Sequence, residues 1–328
     1  MDERKLRTAL GDAPRFGAVR PRDELREVRG QPLQRRTGCD LAGWAGPPGR
    51  TIDTTSHMRC LTLSGVDIIT ISTLRGTWIP QLAVTHLWTI PLDLPVSDQV
   101  ALQAFLSDEE RAHAARFRFD EHRRRFIVRR GALRSIVAQY LALRPHEIEF
   151  RSGRFGKPWL PQASGELSFS ASHSRELAIV AFASEGRLGS DIEWVQELPD
   201  RDDIARRFFT TGEQTDIENQ ADGERTPSFF RCWTRKEAFI KALGMGLQYP
   251  LDRFDVPVGR LVDDATVHVH DRAARAAGDW TVSDFEVPQG YVAATVHDRQ
   301  SSHVQPLSWS PASCSDTSRD APTASAAT

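Results

Sequence analysis

The sequence predicts an α+β fold of two pseudo-equivalent lobes related by an approximate twofold, and three observations carry that expectation. A strand, a long helical stretch and then several short, mostly antiparallel strands occur in that order twice along the chain. The 328 residues suffice for two cores of roughly 100–150 residues each. Both ends are rich in Arg, Gly, Pro, Ser and Ala without a sustained period of 2 or 3.6, so the ordered part lies between them. The expected organisation is a largely disordered extension over 1–84, with Met58 as an alternative start. An N-terminal lobe over 85–186, a C-terminal lobe over 187–298 and a disordered tail over 299–328 follow.

The first lobe opens on the strand-like "THLWTI" (85–90), after an isolated β-branched run over 60–74. A helical region over about 97–142 carries one apolar stripe at Leu102, Phe105 and Leu106 and another at Phe126, Ile127, Leu133, Ile136 and Val137. Short strands are expected at 147–150, 167–172 and 177–183. The second lobe opens on "LGSDIEWV" (188–195), continues through helices near 201–209, 211–219 and 228–243, and closes on strands at 254–256, 266–270, 280–287 and 291–296. A cleft between two such lobes is the natural ligand site.

Composition excludes several classes. A net charge of −2 argues against a wholesale nucleic-acid binder. The four cysteines are scattered, with neither a zinc spacing nor a disulfide framework. No run approaches the roughly 18–20 apolar residues of a membrane span, and the N-terminus lacks the apolar core of a secretory signal. Cytoplasmic is therefore the default, and a monomer is expected because two fused lobes already supply an intramolecular cleft.

Of 42 basic residues only four are lysines: Lys5, Lys157, Lys236 and Lys241. Three of them sit in candidate chemical segments. In "GSDIEWV", alternation puts Asp191 and Glu193 on one face of a strand. Two neighbouring carboxylates repel unless a cation lies between them, and hard oxygens suit Mg²⁺; a solvated strand face is the plainer reading. In "CWTRKEAFIKALGMGL", steps of four join Trp233, Glu237 and Lys241 on one helix face, either with an ordinary Glu–Lys surface pair or with Glu237 as a third acid for a Mg²⁺ site. Ser172 and His173 end the strand "FSASHS", and Lys157 lies in the turn "FGKP". Nine arginines between Arg111 and Arg134 face only two acids, Asp120 and Glu121, giving a solvated helix face or a phosphate-docking surface; Arg125 is the chosen functional one. Thr210 and Glu213 have the spacing of a helix-opening capping box.

Taken in order, "FGKP", "FSASHS", "GSDIEWV", "RRFFTTGE" and "CWTRKEAFIKALGMGL" resemble the 4′-phosphopantetheinyl transferases, most closely the two-lobed type that activates peptide and polyketide synthases. The resemblance spans about residues 85–298. It implies Mg²⁺-dependent transfer of the phosphopantetheine arm of coenzyme A to a serine of an apo acyl or peptidyl carrier protein, releasing adenosine 3′,5′-bisphosphate. It also implies a monomer with both ligands held between the lobes. By position, Asp191, Glu193 and Glu237 match the metal acids. Lys157, Ser172, His173 and Lys241 match contacts to the coenzyme A phosphates, and Arg125 a further basic position. Glu213, or a water held by Glu237 or the metal, is expected to take the serine proton, and Lys241 to assist the leaving oxygen. The chain departs from the surfactin-activating members at Glu110 and His113, where two lysines hold the 3′-phosphate; Arg111 or Arg116 are the candidate substitutes. Two rival readings are another Mg²⁺-dependent enzyme acting on a nucleotide diphosphate and a non-catalytic carrier-protein binder.

Overall fold

The computed structural model describes residues 84–163, 165, 167–261, 263–271, 278–298 and 303–311, together with a short antiparallel pair, Thr62–Leu63 and Val66–Asp67. Most of the expected extension over 1–84, including Met58, lies outside the described residues.

The first strand, β1 (Val84–Pro91), precedes α1 (Val96–Gln103), α2 (Asp108–Ala114) and the long α3 (Asp120–Leu141). The single helical region expected over 97–142 is thus three helices. Ser107 breaks it: its side chain accepts the Glu110 N–H while Glu110 accepts the Ser107 N–H, a reciprocal cap that starts α2 afresh. Residues 147–150, expected as a strand, instead close a 3₁₀ turn at Pro145–Glu147. The pair β2 (Arg151–Ser152) and β3 (Pro158–Trp159) forms a small hairpin around Lys157. Strands β4 (Ser168–Ser174) and β5 (Leu177–Ala183) complete the lobe.

The second lobe runs β6 (Leu188–Trp194), α4 (Arg201–Phe208), α5 (Thr211–Glu218) and α6 (Asp222–Leu243). Helix α6 starts before the expected position and runs through Pro227, one turn and a half into the helix. The short β7 (Phe254–Asp255), β8 (Ala265–Thr266) and β9 (His268–Val269) follow, then β10 (Thr281–Asp284) and β11 (Tyr291–His297).

One expectation fails at the C-terminus. The tail expected to be disordered from 299 supplies β12 (His303–Ser308), which returns to the first lobe and pairs parallel to β1. Leu307 and Trp309 are buried there, and the Trp309 indole donates to Ser135 on α3. Apolar anchoring at two points outweighs a polar composition, and Pro306 is tolerated because the strand is at the sheet's edge.

The result is two four-stranded sheets, ordered β12-β1-β5-β4 and β8-β10-β11-β6. Helix α3 covers the first with a core around Trp88, Val128, Ile136, Tyr140 and Phe182. Helix α6 covers the second with Phe229, Trp233, Phe239, Phe254 and Trp280. The sheets meet along β4 and β6, each of which is the last strand of its own sheet, so the lobes join edge to edge.

Candidate active site

A strand at a sheet edge leaves every second residue's N–H and C=O without a ladder partner. Along β6 these groups are met by side chains from the other lobe and from α6. Ser170 on β4 accepts the Ser190 N–H at 2.8 Å, and Ser174 accepts the Trp194 N–H at 3.0 Å. Lys157 donates to Leu188 O at 3.0 Å and Lys241 to Ser190 O at 3.2 Å. Serines at every second position of β4 thus close the seam with hydroxyls in place of a continuous backbone ladder.

The same alternation aligns the acids. Gly189, Asp191 and Glu193 share one face of β6, the face that α6 covers. A Cβ on Gly189 would stand 1.9 Å from Ala238 O and 2.5 Å from Ala242 N, so only glycine lets the helix backbone lie directly on the strand. That approach delivers Lys241 to Asp191. The Lys241 ammonium donates to Asp191 Oδ1 at 2.6 Å and to Ser172 Oγ at 3.0 Å, besides Ser190 O. Ser172 Oγ donates to Asp191 Oδ1 at 2.6 Å, and Ser174 Oγ to Glu193 Oε2 at 3.0 Å. Asp191 and Glu193 are fully buried and Glu237 nearly so. The reading of a solvated strand face is therefore excluded, and such burial is sustained by paired charge and donated hydrogen bonds.

Ser172 also lines a cavity of about 410 Å³ in the first lobe, bounded by Glu109, Glu110, His113, Arg129 and Arg130 on the helices and by Phe169 on β4. His173 lies on the same strand face as Phe169 and Ala171, which both border this cavity. Glu110 and His113, where family lysines were expected, are therefore at the cavity wall. Burial alone would raise the Glu110 pKa, but Arg134 and Arg130 outweigh it and hold the carboxyl below its ordinary range. Arg134 bonds Glu110 at 2.7 Å and anchors to Pro145 O and Ile148 O, while Arg130 pairs with Glu110 and stacks on Phe150. Positive charge at this wall comes from α3 through Arg129 and Arg130, which sequence reasoning missed. Arg129 is one helical turn beyond Arg125, but nine arginines in one run gave no means of choosing between them. Arg111, a candidate substitute, is bound to Leu106 O and Asp108.

Three expected site residues are placed differently. Arg125 forms a two-pronged pair with Asp93 at 2.7 and 2.8 Å and a second ion pair with Glu121. It borders neither the cavity nor the Asp191 cluster. Lys157 spends its ammonium on Leu188 O and on Ala242 O at 3.2 Å. Glu213, expected as a candidate base, is engaged within its own lobe. Its Oε1 accepts the Val256 N–H, its Oε2 accepts the Thr210 N–H and pairs with Lys236 at 2.8 Å, and its side chain is 2% exposed. Burial raises its pKa against the pull of Lys236. Both of its oxygens are thus engaged by groups of the second lobe. Lys236, its partner, also donates to Leu251 O and Phe254 O and closes the loop after α6.

Among the described residues no three His, Cys, Asp or Glu side chains converge as a ready metal cage. The donor set nonetheless fits Mg²⁺: Asp191, Glu193 and Glu237 offer only hard oxygens, and this ion keeps waters and accepts substrate phosphate oxygens where protein ligands are few.

Two family models match the chain. The 4′-phosphopantetheinyl transferase superfamily model covers residues 187–296, and the 4′-phosphopantetheinyl transferase N-terminal model covers 95–185. The chain is 41% identical over 183 residues to the 4′-phosphopantetheinyl transferase HetI of Nostoc sp., covering 53% of this chain and 77% of that one. It is 32% identical over 207 residues to the 4′-phosphopantetheinyl transferase Sfp of Bacillus subtilis, covering 62% of this chain and 88% of the relative. Together with the two-lobed fold and the Ser172–Asp191–Lys241 cluster at its seam, these likenesses make the chain a member of the 4′-phosphopantetheinyl transferase superfamily and an enzyme of that type.

Proposed function

We propose that the chain transfers the phosphopantetheine arm of coenzyme A to a serine of an apo acyl or peptidyl carrier protein, with Mg²⁺ as the metal. The observation that carries this reading is Ser172, which lies in the wall of an arginine-bordered cavity and also bonds buried Asp191 and its partner Lys241. A long ligand with an anionic nucleotide end and a diphosphate centre matches that sequence of surfaces. The nucleotide's 3′-phosphate would meet Arg129, Arg130 and His113, and the diphosphate would lie over Ser172 and Lys241.

In the transfer, the serine oxygen bonds to the phosphorus carrying pantetheine, and the bond from that phosphorus to the bridging oxygen breaks. Adenosine 3′,5′-bisphosphate leaves. Asp191, Glu193 and Glu237 would hold Mg²⁺, which when bound offsets the charge building on the diphosphate. Glu237, directly or through a water, would receive the serine proton. Lys241 stands one turn from Glu237 and holds Asp191 and Ser172 in place. As an ammonium it can also yield a proton to the leaving oxygen, which a guanidinium with a pKa above about 12 hardly can.

The test is incubation with coenzyme A, Mg²⁺ and a panel of apo carrier proteins drawn from fatty-acid, polyketide and peptide synthases. Mass spectrometry reads the arm's addition to the carrier serine. A panel on which no carrier gains that mass defeats the reading. Glu237→Gln is expected to lower turnover by about two to three orders of magnitude while carrier binding persists.

A further inference from the structure

Lys157 belongs to the first lobe, in the hairpin turn between β2 and β3, yet its ammonium ends in the second. It donates to Leu188 O at 3.0 Å and to Ala242 O at 3.2 Å. Both oxygens lack a regular partner. Ala242 is in the last turn of α6, where carbonyls have no following N–H to accept from. Leu188 is two residues from Ser190, whose N–H and C=O both leave the sheet at the seam. The lysine stem is held as well: Gly244, at φ +75°, caps α6, and a Cβ there would come within 3.3 Å of Lys157 Cδ.

The position of these two carbonyls gives the contact its meaning. Ala242 follows Lys241, and Leu188 begins the strand that carries Asp191. The backbone contact at Gly189 lies between the same two elements. Lys157 therefore ties together the helix end and the strand start from which the two members of the Lys241–Asp191 pair project.

We propose that Lys157 is a positioning residue that fixes the last turn of α6 against β6, so that Lys241 stays within bonding reach of Asp191 and Ser172, and that it does not ligate the coenzyme A phosphates. This rests on the transferase reading above. An ammonium suits the task because its compact head reaches two converging carbonyls from a stem packed against Gly244. A guanidinium is wider and planar.

Steady-state kinetics of Lys157→Met separate the roles. With positioning lost, kcat for arm transfer falls about tenfold or more while the KM for coenzyme A stays within about twofold, and Lys157→Arg does not restore the rate. A KM raised tenfold with kcat intact, or no change in either constant, overturns the proposal. A second measurement uses the folded wild-type protein. With lysine labelled at 15Nζ, the chain gives four ammonium or amine signals, and Lys5→Arg and Lys241→Arg assign two of them. Titration with coenzyme A is expected to move the Lys241 signal and to leave the Lys157 signal, identified by its loss in Lys157→Met, in place; movement of the Lys157 signal overturns the proposal. Wild-type protein that modifies no apo carrier defeats the underlying reading, and it is measured before any variant.

Discussion

The first strand of each lobe packs against a long helix, and the two strands carry opposite kinds of polar side chain. On β1, His86 and Trp88 meet Tyr140 of α3 in a neutral network: Trp88 Nε1 donates to the Tyr140 hydroxyl at 3.0 Å, and that hydroxyl lies 2.8 Å from His86 Nδ1. On β6, Asp191 and Glu193 meet Lys241 and the serines of β4. The topology accounts for the difference. Strand β12 covers the outer edge of β1, so β1 is internal and its polar groups are closed into a core. Strand β6 is an edge, and its unpaired backbone and carboxylates are reached from the opposite lobe. One layout thus serves packing in one lobe and the proposed chemistry in the other, according to which first strand acquires a second neighbour.

Glycine variants should break this comparison most severely. In Gly189→Ala the new Cβ would stand 1.9 Å from a helix carbonyl, with no flexible side chain to yield, so α6 must move off β6. We expect transfer activity to fall by about 100-fold or more, since catalytic groups displaced by about 1 Å lose that much. Overpacking should also cost about 1–3 kcal/mol of stability. The counterpart in the first lobe is Gly131 of α3, where a Cβ would meet Leu102 Cβ at 2.7 Å and Leu102 O at 2.9 Å. Gly131→Ala should lower the melting temperature by a comparable amount and leave kcat near wild type. If thermal melts match but both variants lose activity equally, the lobes do not divide the work as described.

A smaller effect is expected at Ser174, which donates to Glu193 and accepts the Trp194 N–H. Ser174→Ala leaves a buried N–H unanswered, costing about 1–3 kcal/mol, and removes the bond that orients Glu193. The Mg²⁺ concentration giving half-maximal rate should rise several-fold, as it does when groups that orient a metal ligand are removed. An unchanged Mg²⁺ requirement would take Glu193 out of the proposed metal site.

Sequence pattern exposed the part of this site that obeys local rules. Period-2 alternation put Asp191 and Glu193 on one face, and steps of four put Glu237 and Lys241 on another. What it could not expose depends on contacts between distant segments. Glu213 carries a family-like position and a capping-box spacing at once, and its burial against Lys236 and Val256 is not visible in that spacing. Arg129 and Arg130 differ from their seven neighbouring arginines only in facing the cavity. Strand β12 is polar and contains a proline, and it becomes a strand because β1 offers it an edge. The scarcity of lysine was a real signal with an unforeseen cause. Each of Lys157, Lys236 and Lys241 bonds main-chain carbonyls in a confined space, where a compact ammonium fits better than a guanidinium.

The smallest effect on activity, and the clearest on pH dependence, is expected in the first lobe's neutral network. Burial lowers the His86 pKa from 6.5 to about 4, so the ring is neutral in the folded protein at pH 7 and can accept the Tyr140 O–H at Nδ1. Between pH 6.5 and about 4 the unfolded chain takes up a proton that the folded chain refuses. Stability therefore falls as pH drops through that window, by at most about 3 kcal/mol, and this contribution is constant below it. Glu110, whose pKa is lowered, acts in the same direction but below its unfolded value of 4.5, so the two windows barely overlap. His86→Gln keeps an acceptor for Tyr140 and removes the titration. Denaturant melts between pH 4 and 7 should show the slope of stability with pH reduced in that variant, with kcat unchanged at pH 7. An undiminished slope would remove His86 as the origin of the acid sensitivity.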